Sequence, residues 1–321
     1  PRVARGAVED AYQLKARPYL TSYEKFFEYP DAVRERLSRV LDVPEDEVAI
    51  TSSTGQGAML IAQGLRWQPG DRILLGPDEF PANVYPWLAL RDKGVQVEII
   101  GERGSPLRVE QLDEALNRPG PVPLVSVAAV HYTTGEFHPL TLFGDLIHQQ
   151  GGLLVTDATQ AIGSVGIEWS DIGVDALLAS GYKWLLGPYG TGVAWVRQPM
   201  LGRLDDVNGN WWANARARDL KALLEYADIP VHGRRMDSGE TASFLNLGAW
   251  RAGLDYLLDI GCRAVESSSR SLQDRLVSQL DHREIRVVSP LDDPHRSPML
   301  FLESTGGLDE ERLQAELTKA H

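Results

Sequence analysis

The amino-acid sequence predicts an α/β protein whose large domain is a mainly parallel, seven-stranded sheet sandwiched by helices. Two observations predict it. From about residue 30 to residue 197, helical patterns alternate with short apolar runs, the alternation expected of βαβ units. Most of those runs are apolar throughout, as strands buried on both faces should be. The composition agrees: 321 residues with 43% hydrophobic and 24% charged side chains, 30 Gly and 19 Pro describe a globular chain with room for a sizeable core. Disorder, collagen and coiled coil are excluded as global readings.

Taken in order, Val33 to Leu41 has helical spacing and leads into the strand Val48-Ala49-Ile50-Thr51. That strand ends in Ser52-Ser53-Thr54-Gly55, followed by a helix from Gln56 to Leu65. The turn Gln68-Pro69-Gly70-Asp71 then introduces the strand Arg72 to Leu75. Helical spacing at Val84 to Lys93, Leu107 to Leu116 and Leu142 to Gln150 precedes strands at Val95 to Ile100, Leu124 to Val130 and Leu153 to Thr156. Ala176 to Ala179 and Gly192 to Val196 complete the sheet. From Leu201 to Gly233 the chain is rich in Asn, Arg, Asp and Trp without a strong period, and reads as a long, partly structured excursion.

Phe244 to Ile260 is an amphipathic helix with Leu247, Trp250, Leu254, Leu257 and Leu258 on one side and Gly261 at its end, expected to pack on the sheet. A helix from Cys262 to about Leu280, strands near Ile285 to Val288 and Met299 to Leu302, and the start of one more helix suggest a small α+β unit. The expected division is an N-terminal segment 1–30, a large domain 31–262 and a small C-terminal domain 263–321.

The balance of 32 basic against 45 acidic side chains gives a net charge of −13, which opposes phosphate neutralisation and argues against nucleic acid or an anionic membrane as partner. The most apolar stretch, Val122 to Val130, carries Pro123 and Ser126 and falls far short of the roughly 20 residues of a membrane-spanning helix. The single cysteine, Cys262, can form neither an intramolecular disulfide nor a thiolate metal site. No metal site is expected, and a reducing, cytoplasmic compartment is. The start Pro1-Arg2-Val3-Ala4-Arg5 has no Met and no apolar h-region, so it is read as a processed or trimmed start rather than a signal peptide.

Four features lie at the C-terminal ends of expected strands, where open α/β sheets bind ligands. Ser52-Ser53-Thr54-Gly55-Gln56-Gly57 opens a helix, whose free N–H groups suit a phosphate; a structural N-cap is the plainer reading, and the run is neither a Walker loop nor G-x-G-x-x-G. Leu153 to Gln160 delivers Asp157 at a strand end, as a functional carboxylate, a helix cap or a metal ligand. Ser180-Gly181-Tyr182-Lys183-Trp184 sets a lysine between aromatic residues ahead of Gly187-Pro188-Tyr189-Gly190-Thr191-Gly192. A lysine so placed has a depressed pKa and can form a Schiff base with a carbonyl cofactor, although many such lysines merely lay their stems on apolar surface. Finally, Asp78 to Asn83 and His131-Tyr132-Thr133-Thr134-Gly135 follow two other strands; taken alone, Phe80 and His131 read as core.

Together these runs resemble the class V aminotransferase family of pyridoxal-phosphate enzymes, which includes cysteine desulfurases and kynureninases. The resemblance covers about Val48 to Arg197: strand-Thr-Gly-helix, Glu79-Phe80-Pro81-Ala82-Asn83-Val84-Tyr85-Pro86-Trp87, Thr134-Gly135, Asp157-x-x-Gln160, then Ser180-Gly181-x-Lys183. The block from Asp157 to Lys183 is its specific part, and a weaker likeness continues through Phe244 to Gly261.

What the resemblance implies is the fold type I architecture, pyridoxal 5'-phosphate as cofactor, and a homodimer acting on an amino acid or related amine. By position, Lys183 would carry the cofactor as a Schiff base and Asp157 would pair with its pyridinium nitrogen. Gln160 would reach the phenolic oxygen, Phe80 would stack on the ring, and Thr134 and Asn83 would line its edge. Thr54, Gly55, Gln56, Ser180 and Tyr182 would hold the phosphate, joined by Thr241 of the partner subunit, where Glu240 interrupts the family's Gly-Thr pattern.

The family's carboxylate-binding arginine, and the cysteine of the desulfurases, belong to a C-terminal segment that the sequence does not reach, and the chain begins after the family's usual first strand. Cys262 lies away from that cysteine's place and is expected to be structural. Transamination is the first expectation, with Cβ lyase chemistry of the kynureninase or desulfurase kind as alternative. A non-catalytic scaffold is the third, opposed by the retention of Lys183, Asp157 and Gln160.

Overall fold

The computed structural model describes residues 2–239, 243–307 and 309–319. Two helices come first, α1 (Ala4–Ala16) and α2 (Lys25–Leu41). The second starts at Lys25 rather than Val33 and runs through Pro30, because Phe27, Tyr29 and Pro30 extend the buried face of Val33, Leu37 and Leu41. It therefore crosses the boundary expected at residue 30.

The large sheet follows as β1 (Val48–Thr51), α3 (Thr54–Gly64), β2 (Arg72–Leu75), α4 (Tyr85–Leu88), β3 (Gln96–Ile99), α5 (Val109–Leu116), β4 (Leu124–Ala128), α6 (Leu140–Gln149), β5 (Leu153–Asp157), β6 (Ala176–Ser180) and β7 (Gly192–Val196). The strand order is β1-β7-β6-β5-β4-β2-β3. Only β7 runs antiparallel to its neighbours, so the other strands all end at one edge. In that register Ala128 stands beside Asp157, and Asp157 beside Leu178.

Alternate strand residues feed two apolar layers, one on each face of the sheet. Ile50, Val125, Leu154, Leu177 and Trp195 pack with Leu37, Leu247 and Trp250. Ala49, Ile73, Val155, Leu178 and Ala194 pack with Ile61, Trp87 and Met200. The stretch Val84 to Lys93 is not one helix: α4 is short and a separate 3₁₀ turn covers Arg91–Lys93. Trp87 and Leu90 both turn into the core, and Gly94, at φ 81°, bends the chain towards β3.

After α7 (Gln198–Leu201) the excursion holds three 3₁₀ turns and then α8 (Phe244–Ile260), against which α1 and α2 pack. Gly261 joins α8 to α9 (Cys262–Val277), followed by β8 (Ile285–Val287), β9 (Leu302–Ser304) and α10 (Glu310–Lys319). β8 and β9 form an antiparallel pair. β9 starts at Leu302 rather than Met299, because the Met299 N–H bonds instead to the Ser297 hydroxyl. Among the described residues no helix is long and apolar enough to cross a membrane.

Candidate active site

At the shared edge of the parallel strands lies a cleft. β5 ends in Asp157 and β6 in Ser180, with Lys183 following; β1 leads to Thr54, and β2 leads to Phe80. Thr54, Phe80, Asp157, Gln160, Ser180, Tyr182 and Lys183 all line this one cleft. The spacing of 26 positions from Asp157 to Lys183 suffices to leave one strand, cross over and return along its neighbour.

Asp157 is 7% exposed, and its Oδ1 accepts the Thr159 N–H at 2.9 Å. Burial pushes its carboxyl above the ordinary range, while the Thr159 hydrogen bonds and the charge of Lys183 pull it back. Burial lowers the Lys183 ammonium, with Asp157 opposing. Its Nζ stands 5.9 Å from the centroid of the Phe80 ring, and Phe80 meets Tyr132 edge-on at 5.4 Å. The site thus combines an acceptor at depth, a desolvated amine and an aromatic wall.

A cluster of hydroxyls sits where α3 begins. Thr54 Oγ1 lies 2.8 Å from Thr159 Oγ1 and 3.1 Å from Ser180 Oγ. The Thr54 N–H donates to Ser180 Oγ at 3.3 Å, and the Ser180 N–H to Thr159 Oγ1 at 3.1 Å. Ser53, with an extended backbone, caps the helix by accepting the Gln56 N–H. Three rotatable O–H donors at a helix N-terminus suit an oxyanion without any cationic side chain.

The turn carrying Lys183 is held from behind by α8. The Trp250 indole donates to the Leu185 carbonyl at 3.1 Å. A Cβ on Gly181 would stand 2.5 Å from Thr191 Oγ1 and 2.9 Å from the Trp250 ring, and one on Gly187 would meet the same two groups at 2.6 and 2.9 Å. Both motif glycines are therefore required by packing. Trp184 donates to Gln160 Oε1 at 3.3 Å. An indole N–H can only donate, so Gln160 is left with its NH₂ for the cleft.

Other expected residues sit elsewhere. Asn83 and Thr134 are not among the residues that line the cleft, and their polar groups are engaged beside it. The Asn83 amide is consumed by Glu79, at 2.9 Å, and by the Ser126 hydroxyl, at 2.7 Å. The Thr134 hydroxyl pairs with His131 Nδ1 at 2.9 Å. Gly55 and Gln56 occupy the first turn of α3, and the Gln56 Oε1 accepts the Ser52 N–H and the Ser238 hydroxyl. Thr241 lies outside the described residues. Cys262 packs half-buried against the core, where burial raises its thiol.

Thr159, Tyr132 and Ala82 line the cleft without having been singled out. For Thr159 the signal was present: it stands two residues after Asp157 and one before Gln160. Among the described residues no group of three or more His, Cys, Asp or Glu side chains could hold a metal.

The family model for class V aminotransferases matches residues 9–319. A probable cysteine desulfurase of Methanothermobacter thermautotrophicus is 28% identical over 257 residues, which cover 77% of this chain and 61% of that protein. An uncharacterized aminotransferase of Bacillus subtilis is 25% identical, over 78% of this chain and 65% of that protein. The chain spans about three fifths to two thirds of the length of the curated relatives it matches. The apo structure of a cysteine desulfurase from Thermococcus onnurineus superposes with a TM-score of 0.80 at 20% identity, covering 100% of this chain and 80% of that one. This likeness extends the fold type I architecture to the whole chain.

Proposed function

Because the chain belongs to the class V aminotransferase family, we propose that it binds pyridoxal 5'-phosphate in this cleft and transaminates an amino acid or related amine. The single observation that carries the reading is the convergence of Asp157 and Lys183 on one cleft. The residues fit the group. The hydroxyls of Thr54, Thr159 and Ser180 and the first turn of α3 suit its phosphate, the Gln160 NH₂ its phenolic oxygen, and Phe80 one face of its ring.

Pyridoxal phosphate, when bound, supplies an aldehyde and an electron-withdrawing ring. Lys183 Nζ would hold the aldehyde, and its lowered pKa leaves a larger neutral fraction able to do so. The same Nζ, when not so engaged, would serve as the base that takes and returns a substrate Cα proton. Asp157 would hold the ring nitrogen by offering a buried carboxylate as acceptor for its proton. The enclosing walls of Phe80, Val130 and Tyr132 limit water at the reacting atoms.

The relatives named as cysteine desulfurases support a second reading, bond cleavage at Cβ. Both readings use the same residues as far as removal of the Cα proton. They part in the product released from the substrate, a keto acid in one case and a fragment lost from Cβ in the other. Incubation with a panel of amino acids, followed by product identification, separates them; no spectral response to any amine would contradict both. We further propose a homodimer in the cytoplasm, with the partner subunit completing the phosphate site.

A further inference from the structure

Two turns meet beside the cleft, residues 158–164 after β5 and residues 181–187 after β6. The first is closed by the Ala161 and Ile162 N–H groups, which donate to the Ala158 carbonyl at 2.8 and 2.9 Å, and the second by the Gly187 N–H, which donates to the Gly181 carbonyl at 2.8 Å. Ala158, Ala161, Ile162 and Leu185 anchor both turns in the core. Their backbones come together at Gly163, where φ is 84° and a Cβ would stand 2.9 Å from the Trp184 carbonyl oxygen. A side chain there would push the turns apart. Their close approach sets the Trp184 indole against Gln160, whose Oε1 accepts the indole N–H at 3.3 Å. Gln160 is among the residues that line the cleft, and Trp184 is not. Among the described residues no group accepts from the Gln160 NH₂, so the donor half of the amide is the half left for the cleft.

We propose that Trp184 is a positioning residue that acts through Gln160: its indole holds the amide so that the cleft receives a hydrogen-bond donor and not an acceptor. The consequence for a cofactor rests on reading the cleft as a pyridoxal-phosphate site, whereas the pairing itself does not. A terminal amide is nearly symmetric in shape and turns between two orientations. The indole removes one of them, because the turned amide would set its NH₂ against an N–H, two donors with no acceptor between them. A fixed donor bonds the deprotonated form of a phenolic oxygen and offers nothing to the protonated form, so it lowers the proton affinity there. An amide free to turn could accept from the protonated form as readily, and that discrimination would be lost. The titratable side chains on the same cleft are Asp157, Lys183, Tyr132 and Tyr182, and all four stay unchanged when Trp184 or Gln160 is replaced.

Magnetic resonance of the full chain without cofactor, labelled with nitrogen-15 in tryptophan, tests the pairing. Of the eight tryptophan indole N–H resonances, the one deleted by Trp184→Phe is expected to move upfield in Gln160→Met, where its acceptor is gone. Should Trp184→Phe not fold, Gln160→Met decides alone, and a spectrum in which no indole resonance moves overturns the proposal. In the cofactor-loaded chain, Trp184→Phe should raise the pH midpoint of the cofactor's visible absorption change by about half a unit to one unit, the span of one neutral hydrogen bond. In a Gln160→Met background, where no amide remains to be held, it should add no further shift. An unmoved midpoint, or an equal shift in that background, also overturns the proposal. A wild-type chain that takes up no cofactor overturns the site reading instead, and the indole resonance, read without cofactor, tells the two failures apart.

Discussion

Thr159 illustrates how a site residue escapes a sequence reading. Its hydroxyl joins Thr54 and Ser180 and its N–H holds Asp157, yet between two stronger motif residues it reads as a spacer. Thr159→Val keeps the shape and the N–H while removing one donor from the proposed phosphate site. A hydrogen bond to a charged group contributes about 1.5–3 kcal/mol, so cofactor affinity, measured by equilibrium titration, should weaken at least about tenfold; unchanged affinity would remove Thr159 from that site. That Asp157, Lys183, Gln160 and Phe80 line one cleft was legible in their residue types and spacing at the ends of strands. Asn83 and Thr134 belong to the same motifs, yet their polar groups bond to Glu79, Ser126 and His131, because a polar residue in a motif can serve the scaffold behind a cleft.

Glu79 also makes a stability prediction. Its pKa is raised in the folded chain, to about 8, so the folded state holds a proton that the unfolded state releases above its ordinary value near 4.5. Stability is therefore full below that value and falls as pH rises through about 8, by an amount on the order of a few kcal/mol. Thermal unfolding between pH 5 and 9 should show this fall in the wild type and a smaller one in Glu79→Gln; identical slopes would contradict the assignment.

The elements show where periodicity informs and where it cannot. Most strands of the large sheet are buried and apolar along their length, which made them visible in the sequence; edge strand β3, with Gln96 and Glu98, was marked by its apolar flanks Val95 and Ile100. Residues 201–233 had no period because side chains secure this segment. Asn208 Nδ2 donates to the Arg235 and Asp237 carbonyls, and Asn210 Nδ2 to that of Arg234. Those bonds place Asp237 at the edge strand β1. There Asp237 Oδ1 accepts the Ile50 N–H at 2.8 Å and Oδ2 pairs with Arg34 at 2.5 Å, while Arg34 also donates to the Val48 carbonyl. An edge strand is thus covered by one buried ion pair. Arg34 and Asp237 are 1% and 4% exposed, and removal of one partner strands the other. Asp237→Ala should cost about 3–5 kcal/mol of stability in denaturant unfolding, and a loss below about 1 kcal/mol would show that the pair is not buried in solution.

At the scale of the molecule, class and strand content followed from composition and alternation, whereas strand order did not, because parallel strands of similar composition are interchangeable on paper. Tyr189 is 80% exposed beside the stacked Tyr182, and Tyr226 is 83% exposed; in the proposed homodimer such apolar surface is what a second subunit would cover. A two-fold dimer is expected in sedimentation at micromolar concentration. A monomer that still binds cofactor tightly would contradict the shared phosphate site.

The central claim is that Lys183 carries the cofactor in a cleft whose opposite pole is Asp157. Borohydride reduction of the cofactor-loaded chain, followed by peptide mapping, tests it most directly, because reduction makes the Schiff-base bond permanent at whichever lysine holds it. The account predicts a pyridoxyl group on Lys183, and its loss in Lys183→Ala with the cofactor still bound noncovalently. A label on another lysine, or none on a chain that has taken up the cofactor, would contradict it.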